Sequence, residues 1–328
     1  EGLYFLPYQL NVFHQIASAQ LLKAGVKLLL NTTLKTVQLS AGQVVELGLY
    51  SNTGLISLTP ETVIDCSGNA QVSTLAGLEV IKQQYYQSAA FVFQVNGLPQ
   101  QLKQDVLSLN FIRWIKRGID KGDLHKDCDR LSIIPGTVND GVGLLKLGLP
   151  GFLGDDAEKL AEYELMAHSR SEEIIAFLSR SEPLLKHVVI TKMAAKGGVR
   201  SGVRSQGLEV LDQQQVLACE KSDKGIAIGS WPIEYWGRRR MPEMDYFREN
   251  DCYLIPAPTL VSQYVKNLFF AGRAISATER AIASARVIGT CLSTGYAAGM
   301  LAAELVKKGE WHSAIVKIRR TQVFAQED

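Results

Sequence analysis

Residues 265–299, VKNLFFAGRAISATERAIASARVIGTCLSTGYAAG, restrict the fold of this chain more than its other stretches do. Leu268-Phe269-Phe270-Ala271 is apolar at consecutive positions, as suits a strand covered on both faces, and Gly272-Arg273 ends it. Further on, Gly289-Thr290 opens a helix rich in Gly, Ala, Ser and Thr. A buried strand, a tight turn and such a helix aim the free N–H groups and the positive dipole end of the helix past the carboxyl end of the strand. An anionic or electron-rich ligand is stabilised there.

The remaining composition narrows the possibilities. At 328 residues and 46% hydrophobic, the chain buries one large or two medium cores, and a net charge of +2 gives no bias toward nucleic acid or an anionic membrane. The five cysteines (Cys66, Cys128, Cys219, Cys252 and Cys291) are scattered, odd in number and without a C-x-x-C pair. Neither a disulfide framework nor a zinc site is expected, and a reducing, cytoplasmic compartment is. His14, His125, His168, His187 and His312 are isolated, so no metal site is expected. Residues 287–303 carry no charge and contain Gly295-x-x-x-Gly299, but they are small rather than bulky and fall short of a bilayer span of ~20 residues. A helix packed tightly on a sheet is expected instead. The opening Glu1-Gly2 is not the start of a signal peptide.

Periodicity gives the remaining elements. Residues 11–23 alternate at helical spacing, with Asn11 as N-cap and Gly25 as a stop, which predicts a surface helix over a sheet. Residues 26–30 read as a buried strand. Residues 34–39, 44–50 and 55–58, separated by Ser40-Ala41-Gly42-Gln43 and Asn52-Thr53-Gly54, read as a β-meander. Residues 62–66 form an apolar strand that ends in Ser67-Gly68-Asn69-Ala70, with a short helix through Gly77. In the middle, residues 88–95 read as a strand and 99–116 as helical. Residues 155–178 read as an amphipathic helix with Asp155, Asp156 and Glu158 in its first turn. The glycine clusters at 141–143 and 197–202 read as loops.

The run Ala271-Gly272-Arg273-Ala274-Ile275-Ser276-Ala277-Thr278, followed by Ser284-Ala285-Arg286-Val287-Ile288-Gly289-Thr290-Cys291, resembles the C-terminal flavin-binding segment of the FAD-dependent oxidoreductases built on two dinucleotide-binding domains. Asp65-Cys66-Ser67-Gly68-Asn69-Ala70 is similar to that family's D-A-T-G-D-G turn, with Cys66, Ser67, Asn69 and Ala70 as departures and the glycine kept. The resemblance implies an α/β fold: a partial Rossmann-like FAD-binding domain with a β-meander over residues 1–82 and 265–328, and a mixed α+β substrate or cap domain over 83–264. It implies FAD as cofactor, bound through Leu34, Cys66, Ser67, Gly68, Gly272, Arg273, Ile288, Gly289, Thr290 and Cys291.

Two further segments extend the resemblance. Residues 198–205, with Arg200 and Arg204, are similar to an R-E-S-R-R stretch, and Ser230-Trp231-Pro232-Ile233-Glu234-Tyr235 to S-x-P-I-D-x-H, with Tyr235 in place of histidine. Arg286, Tyr235 and Arg204 are the catalytic residues so implied. Arg286 stands in an otherwise apolar run, where an unpaired charge is expensive. The triplet Arg238-Arg239-Arg240 reads as solvated or as touching a partner.

The family's opening strand, G-x-G-x-x-G turn and helix have no counterpart here. That unit is expected from a partner chain or from a removed segment; loss of cofactor binding is the third account. The expected function is hydride transfer from a small organic substrate to FAD by a flavoprotein subunit. The alternative is a scaffold subunit that keeps the fold without binding FAD.

Overall fold

A computed structural model of the chain describes residues 6, 8–83, 87–151, 157–237 and 241–323. The architecture is mixed α/β, with several small sheets.

The first helix, α1 (Leu10–Lys23), starts from Gln9 rather than Asn11 and has no buried residue. Leu10, Ile16 and Leu22 are exposed, so α1 covers no sheet among the described residues, contrary to the reading of 11–23. Residues 26–30 form no strand either, because a lone extended segment has no described neighbour to complete a ladder.

The meander is as its turns dictate. β1 (Thr33–Ser40), β2 (Gln43–Ser51) and β3 (Gly54–Leu58) pair in order, antiparallel. Ala41 and Gly42 both have positive φ, 49° and 73°, which a two-residue hairpin whose twist matches its strands requires. The buried Asn267 side chain bonds the backbone of Val44 in both directions, at 2.8 and 3.0 Å, and reaches the Glu61 carbonyl at 3.1 Å. That amide pins the meander to the strand that follows Asn267.

β4 (Val63–Asp65) leads into the Gly68 turn and α2 (Gln71–Leu75). Its parallel partner is β15 (Leu268–Phe270), whose three residues are all fully buried, with Phe270 beside Asp65. Both strands therefore end at the same edge.

The middle of the chain builds a second layer pair. After β5 (Val80–Ile81) comes β6 (Ser88–Asn96), the central strand of a four-stranded antiparallel sheet with β7 (Leu131–Ile133), β8 (Val142–Gly151) and β9 (Val189–Met193). Alternation sets its faces: Phe91, Phe93 and Val95 of β6 and Leu145, Leu147 and Leu149 of β8 are buried against α3 (Gln104–Lys121) and α4 (Ala157–Ser181). Val92 and Lys146, paired across the ladder, point to the opposite face. α3 begins at Gln104, later than the expected 99, and residues 155 and 156 of the expected long helix lie outside the described residues.

The remaining elements are β10 (Arg204–Ser205), which pairs with β5, and α5 (Gln213–Leu217). β11 (Gly225–Gly229) pairs with β14 (Tyr253–Pro256), and β12 (Ile233–Tyr235) with β13 (Glu243–Asp245). The carboxyl-terminal helices are α6 (Glu279–Ala285), α7 (Ile288–Lys308) and α8 (Ala314–Gln322).

Two hydrophobic cores result. One joins β4, β15, α6, α7 and α8 and also takes in Leu211, Ile226, Tyr253, Ile255 and Val261. The other lies between the four-stranded sheet and α3 and α4, from Ala89 to Val188. Residues 211–261, placed by the sequence in the cap, thus bury their apolar side chains with the flavin-segment elements, because β11 packs on α7 and α8.

Candidate functional site

The parallel pair β4 and β15 delivers two turns to one edge, and α7 starts beside them. A cavity of about 270 Å³ lies there, lined by Cys66, Ser67, Gly68, Ala271, Gly272, Arg273, Arg286, Cys291 and Gly295. Ligands in open parallel sheets characteristically sit at this end of the strands.

Local bonding explains the shape of each turn. Asp65, buried at the end of β4, accepts from the Ser67 N–H at 2.8 Å and from the Val72 N–H at 2.9 Å, so one carboxylate closes the turn and ties down α2. Gly68 sits at φ +78°, and a Cβ there would lie 2.5 Å from Arg273 Nη2. Gly272, at φ +62°, follows β15, and its N–H donates to Thr294 Oγ1 at 3.1 Å. Both glycines keep side-chain atoms off the cavity floor while taking a conformation other residues resist. Arg273 reaches over Gly68 and donates to the Val199 carbonyl. Cys291, one turn into α7, donates to the Arg286 carbonyl at 3.2 Å.

Charge in the cavity is positive. Burial lowers the proton affinity of the Arg286 guanidinium; Glu234 opposes the shift, whereas Arg273 adds to it. Arg286 donates to the Glu234 carbonyl at 3.2 Å and stands 3.9 Å from its carboxylate, while its buried Nε has no partner among the described residues. Arg273 is likewise lowered by burial. Burial pushes up the Cys66 and Cys291 thiols, so both stay protonated near neutrality.

Of the expected flavin residues, Cys66, Ser67, Gly68, Gly272, Arg273 and Cys291 line the cavity, as does Arg286 of the expected catalytic set. Leu34, Ile288, Gly289 and Thr290 do not: Leu34 is half-buried on β1 with its carbonyl accepting from Gln71 at 3.3 Å, Ile288 and Gly289 are exposed in the first turn of α7, and Thr290 is buried.

Arg204 and Tyr235 also lie outside the lining. Arg204 is 1% exposed and donates to the carbonyls of Ala277 and Gly202 at 2.7 and 2.9 Å, which ties its own stretch to the segment at Ala277. Tyr235 Oη donates to Glu279 at 2.5 Å, and burial, followed by that carboxylate, raises its pKa. The triplet Arg238-Arg239-Arg240 lies outside the described residues.

The structure adds residues the sequence reading missed. Ala271 and Gly295 line the cavity; the small-residue spacing at Gly295-x-x-x-Gly299 is a signal for the latter. On the face of the four-stranded sheet away from the Leu145 and Leu147 core, Lys146 and Trp236 join Arg200, which the sequence reading names: the two cations lie against the Trp236 ring, 4.8 and 4.3 Å from its centroid. Among the described residues no group of three or more His, Cys, Asp or Glu is placed to hold a metal, no helix is long and apolar enough to cross a membrane, and the five cysteines are free.

Comparison with known proteins gives one family. A sequence profile described as "FAD dependent oxidoreductase" matches residues 3–323. No curated protein matches the chain. Solved structures align with most of it at low identity. A geranylgeranyl bacteriochlorophyll reductase-like protein from Thermoplasma acidophilum is 13% identical, over 95% of this chain and 58% of that one, with a TM-score of 0.47. The flavin-dependent halogenase CmlS is 12% identical, over 94% of this chain and 42% of that one, with a TM-score of 0.46. An L-proline dehydrogenase from P. horikoshii is 13% identical, over 93% of this chain and 58% of that one, with a TM-score of 0.36. The chain thus spans about half the length of the solved chains it matches.

Proposed function

Because the chain belongs to the FAD-dependent oxidoreductase family, we propose that the cavity at the carboxyl ends of β4 and β15 is where it meets FAD, and that the protein oxidises or reduces a small organic substrate there. The observation that carries this reading is the fit of the cavity: two glycines in the left-handed conformation, at 68 and 272, with the half-buried cations Arg273 and Arg286 and an Arg286 Nε that has no partner among the described residues. That combination allows close backbone approach by an electron-rich group and leaves a donor for it.

When bound, FAD supplies a two-electron acceptor or donor for a substrate C–H or C–N bond. The protein's own part is positional and electrostatic. Gly68 and Gly272 present backbone at the cavity floor, and Arg273 spans from the Gly272 turn to Val199. Arg286 and the first-turn N–H groups of α7 favour negative charge on whatever lies between them. Arg204 acts as a positioning residue through its carbonyl bonds, and Tyr235 with Glu279 forms a hydrogen-bonded pair at the entrance to α6.

On the packing of the cores, we assign residues 8–83 and 201–323 to the FAD-binding domain and 88–200 to the cap, a revision of the division at 264 and 265. The exposed apolar face of α1 and a parallel sheet of only two described strands support a further strand–helix unit that covers them and carries the dinucleotide fingerprint, on this polypeptide or another.

The test is the visible absorption of the full-length protein purified in the dark. Flavin bands that bleach anaerobically with a reductant and return with air support the reading. Full-length, folded protein that shows no flavin bands, even after incubation with FAD, refutes it and leaves the scaffold role standing.

A further inference from the structure

The free face of the cap sheet carries more positive charge than the flavin reading uses. Lys146 extends from β8 on the side away from the Leu145 and Leu147 core, half-buried and opposite Val92. Arg200 is 9% exposed and donates to the Ser88 carbonyl; its guanidinium lies over the Trp236 ring, 4.3 Å from the centroid. Lys146 lies over the same ring, 4.8 Å away. Ser88 also fixes the indole's backbone, since its N–H donates to the Trp236 carbonyl at 2.8 Å. The arrangement is therefore built from the first residue of β6.

Among the described residues, the carboxylate that acts on these cations is Glu234, and it is already engaged. Its oxygens accept from the indole N–H groups of Trp231 and Trp236, at 3.1 and 2.8 Å, and it stands 3.9 Å from Arg286. Three cations, Lys146, Arg200 and Arg286, thus share one carboxylate. Burial, and then Arg286, lowers Arg200 to about 10; burial, and then Arg200, lowers Lys146. Excess buried charge of one sign is costly unless an opposite charge completes it.

We infer that Lys146 and Arg200, over the Trp236 ring, and Arg286, beside the Glu234 carboxylate that accepts from the same indole, form the anchor for a carboxylate on the substrate. Arg286 links the anchor to the reaction centre, because it lines the cavity as well. A carboxylate fits the donors that are left: Arg200 has one nitrogen on Ser88 and Arg286 one on Glu234, so the free N–H groups and the lysine ammonium suit a planar, two-oxygen acceptor. This inference rests on the flavin reading for its catalytic meaning, but the anchor is made by cap residues and stands apart from the cofactor.

The test measures binding of acetate, succinate and benzoate, with benzamide as the uncharged match for benzoate and inorganic phosphate as a competing anion. Tryptophan fluorescence of the full-length protein reports the indole that both cations contact. Saturable binding of at least one carboxylate is expected, with benzamide weaker than benzoate, phosphate weaker than the best carboxylate, and the Lys146→Met variant weakened about tenfold or more. The thermal midpoint of Lys146→Met, unchanged from wild type, shows that the loss is not unfolding. Saturation by none of the three carboxylates, benzamide binding as well as benzoate, phosphate binding more tightly, or an unaffected Lys146→Met each overturns the anchor. Visible absorption of the same sample separates the two readings: carboxylate binding without flavin bands removes only the cofactor, and flavin bands without carboxylate binding remove only the anchor.

Discussion

Replacing Gly68 with alanine tests the cavity floor atom by atom. The residue sits at φ +78°, where a side chain costs ~1 kcal/mol on general steric grounds. Its new Cβ would also lie 2.5 Å from Arg273 Nη2 and 3.0 Å from Cζ, closer than such atoms approach. The guanidinium must withdraw and give up its bond to the Val199 carbonyl, a charged hydrogen bond worth ~2 kcal/mol. Gly68→Ala is therefore expected to destabilise the protein by ~3 kcal/mol, read from the urea midpoint at constant slope. In an Arg273→Ala background the collision is gone, so the same change should cost only the backbone share of ~1 kcal/mol. The double-mutant cycle then shows a coupling of ~2 kcal/mol between the two positions. Additive effects, within ~0.5 kcal/mol, would refute the picture of Arg273 held across Gly68.

Three other expectations follow from the packing and the charges. Phe269→Ala, at a fully buried position of β15, should lower stability by ~3–5 kcal/mol in urea unfolding; a loss below ~1 kcal/mol would place that strand outside the core. Tyr253 is buried with its hydroxyl 2.7 Å from Ser284 Oγ, and burial raises its phenol above the ordinary value of 10.0. The stability it contributes is complete below pH 10 and falls as pH rises further, so Tyr253→Phe should flatten the alkaline limb of a stability-against-pH curve while costing ~1 kcal/mol at neutrality. Glu304 bonds Lys308, Lys317 and Ser313 at 2.6, 2.9 and 2.8 Å, and the lysine and serine donors lower its carboxyl from 4.5 to about 2. That contribution is present above pH 4.5 and lost as pH falls toward 2, and Glu304→Gln should remove this share of the acid sensitivity of the thermal midpoint.

Local chemistry was the part of the fold most legible in the sequence. The Ala41-Gly42 hairpin, the buried β15 strand and the glycine turn after Asp65 each depend on a few adjacent residues, and the structure forms all three. Features that depend on distant partners were not legible. Residues 26–30 have strand-like residues but no described neighbour to pair with, and α1 carries apolar residues such as Leu10, Ile16 and Leu22 but covers nothing described. That residues 211–261 share a core with α7 and α8 was not legible, because β11 and β14 look like any short apolar strands until those helices are seen against them. In the site, the sequence gives Arg204 and Arg286 the same expected role. The first is satisfied by carbonyls of Ala277 and Gly202, whereas the second keeps a buried Nε with no partner among the described residues. The grouping of Lys146, Arg200 and Trp236 joins three separate stretches around one ring, and period-2 alternation in β8 was the only hint that Lys146 faces away from the core.

The central claim is that the turns after β4 and β15 form the flavin site, and the crystal structure of the full-length protein with FAD tests it most directly. Flavin density against Gly68, Gly272 and Arg273, within hydrogen-bonding reach of Arg286 or the first turn of α7, is the expected result. FAD bound elsewhere in the protein, with that cavity left to solvent, would contradict it.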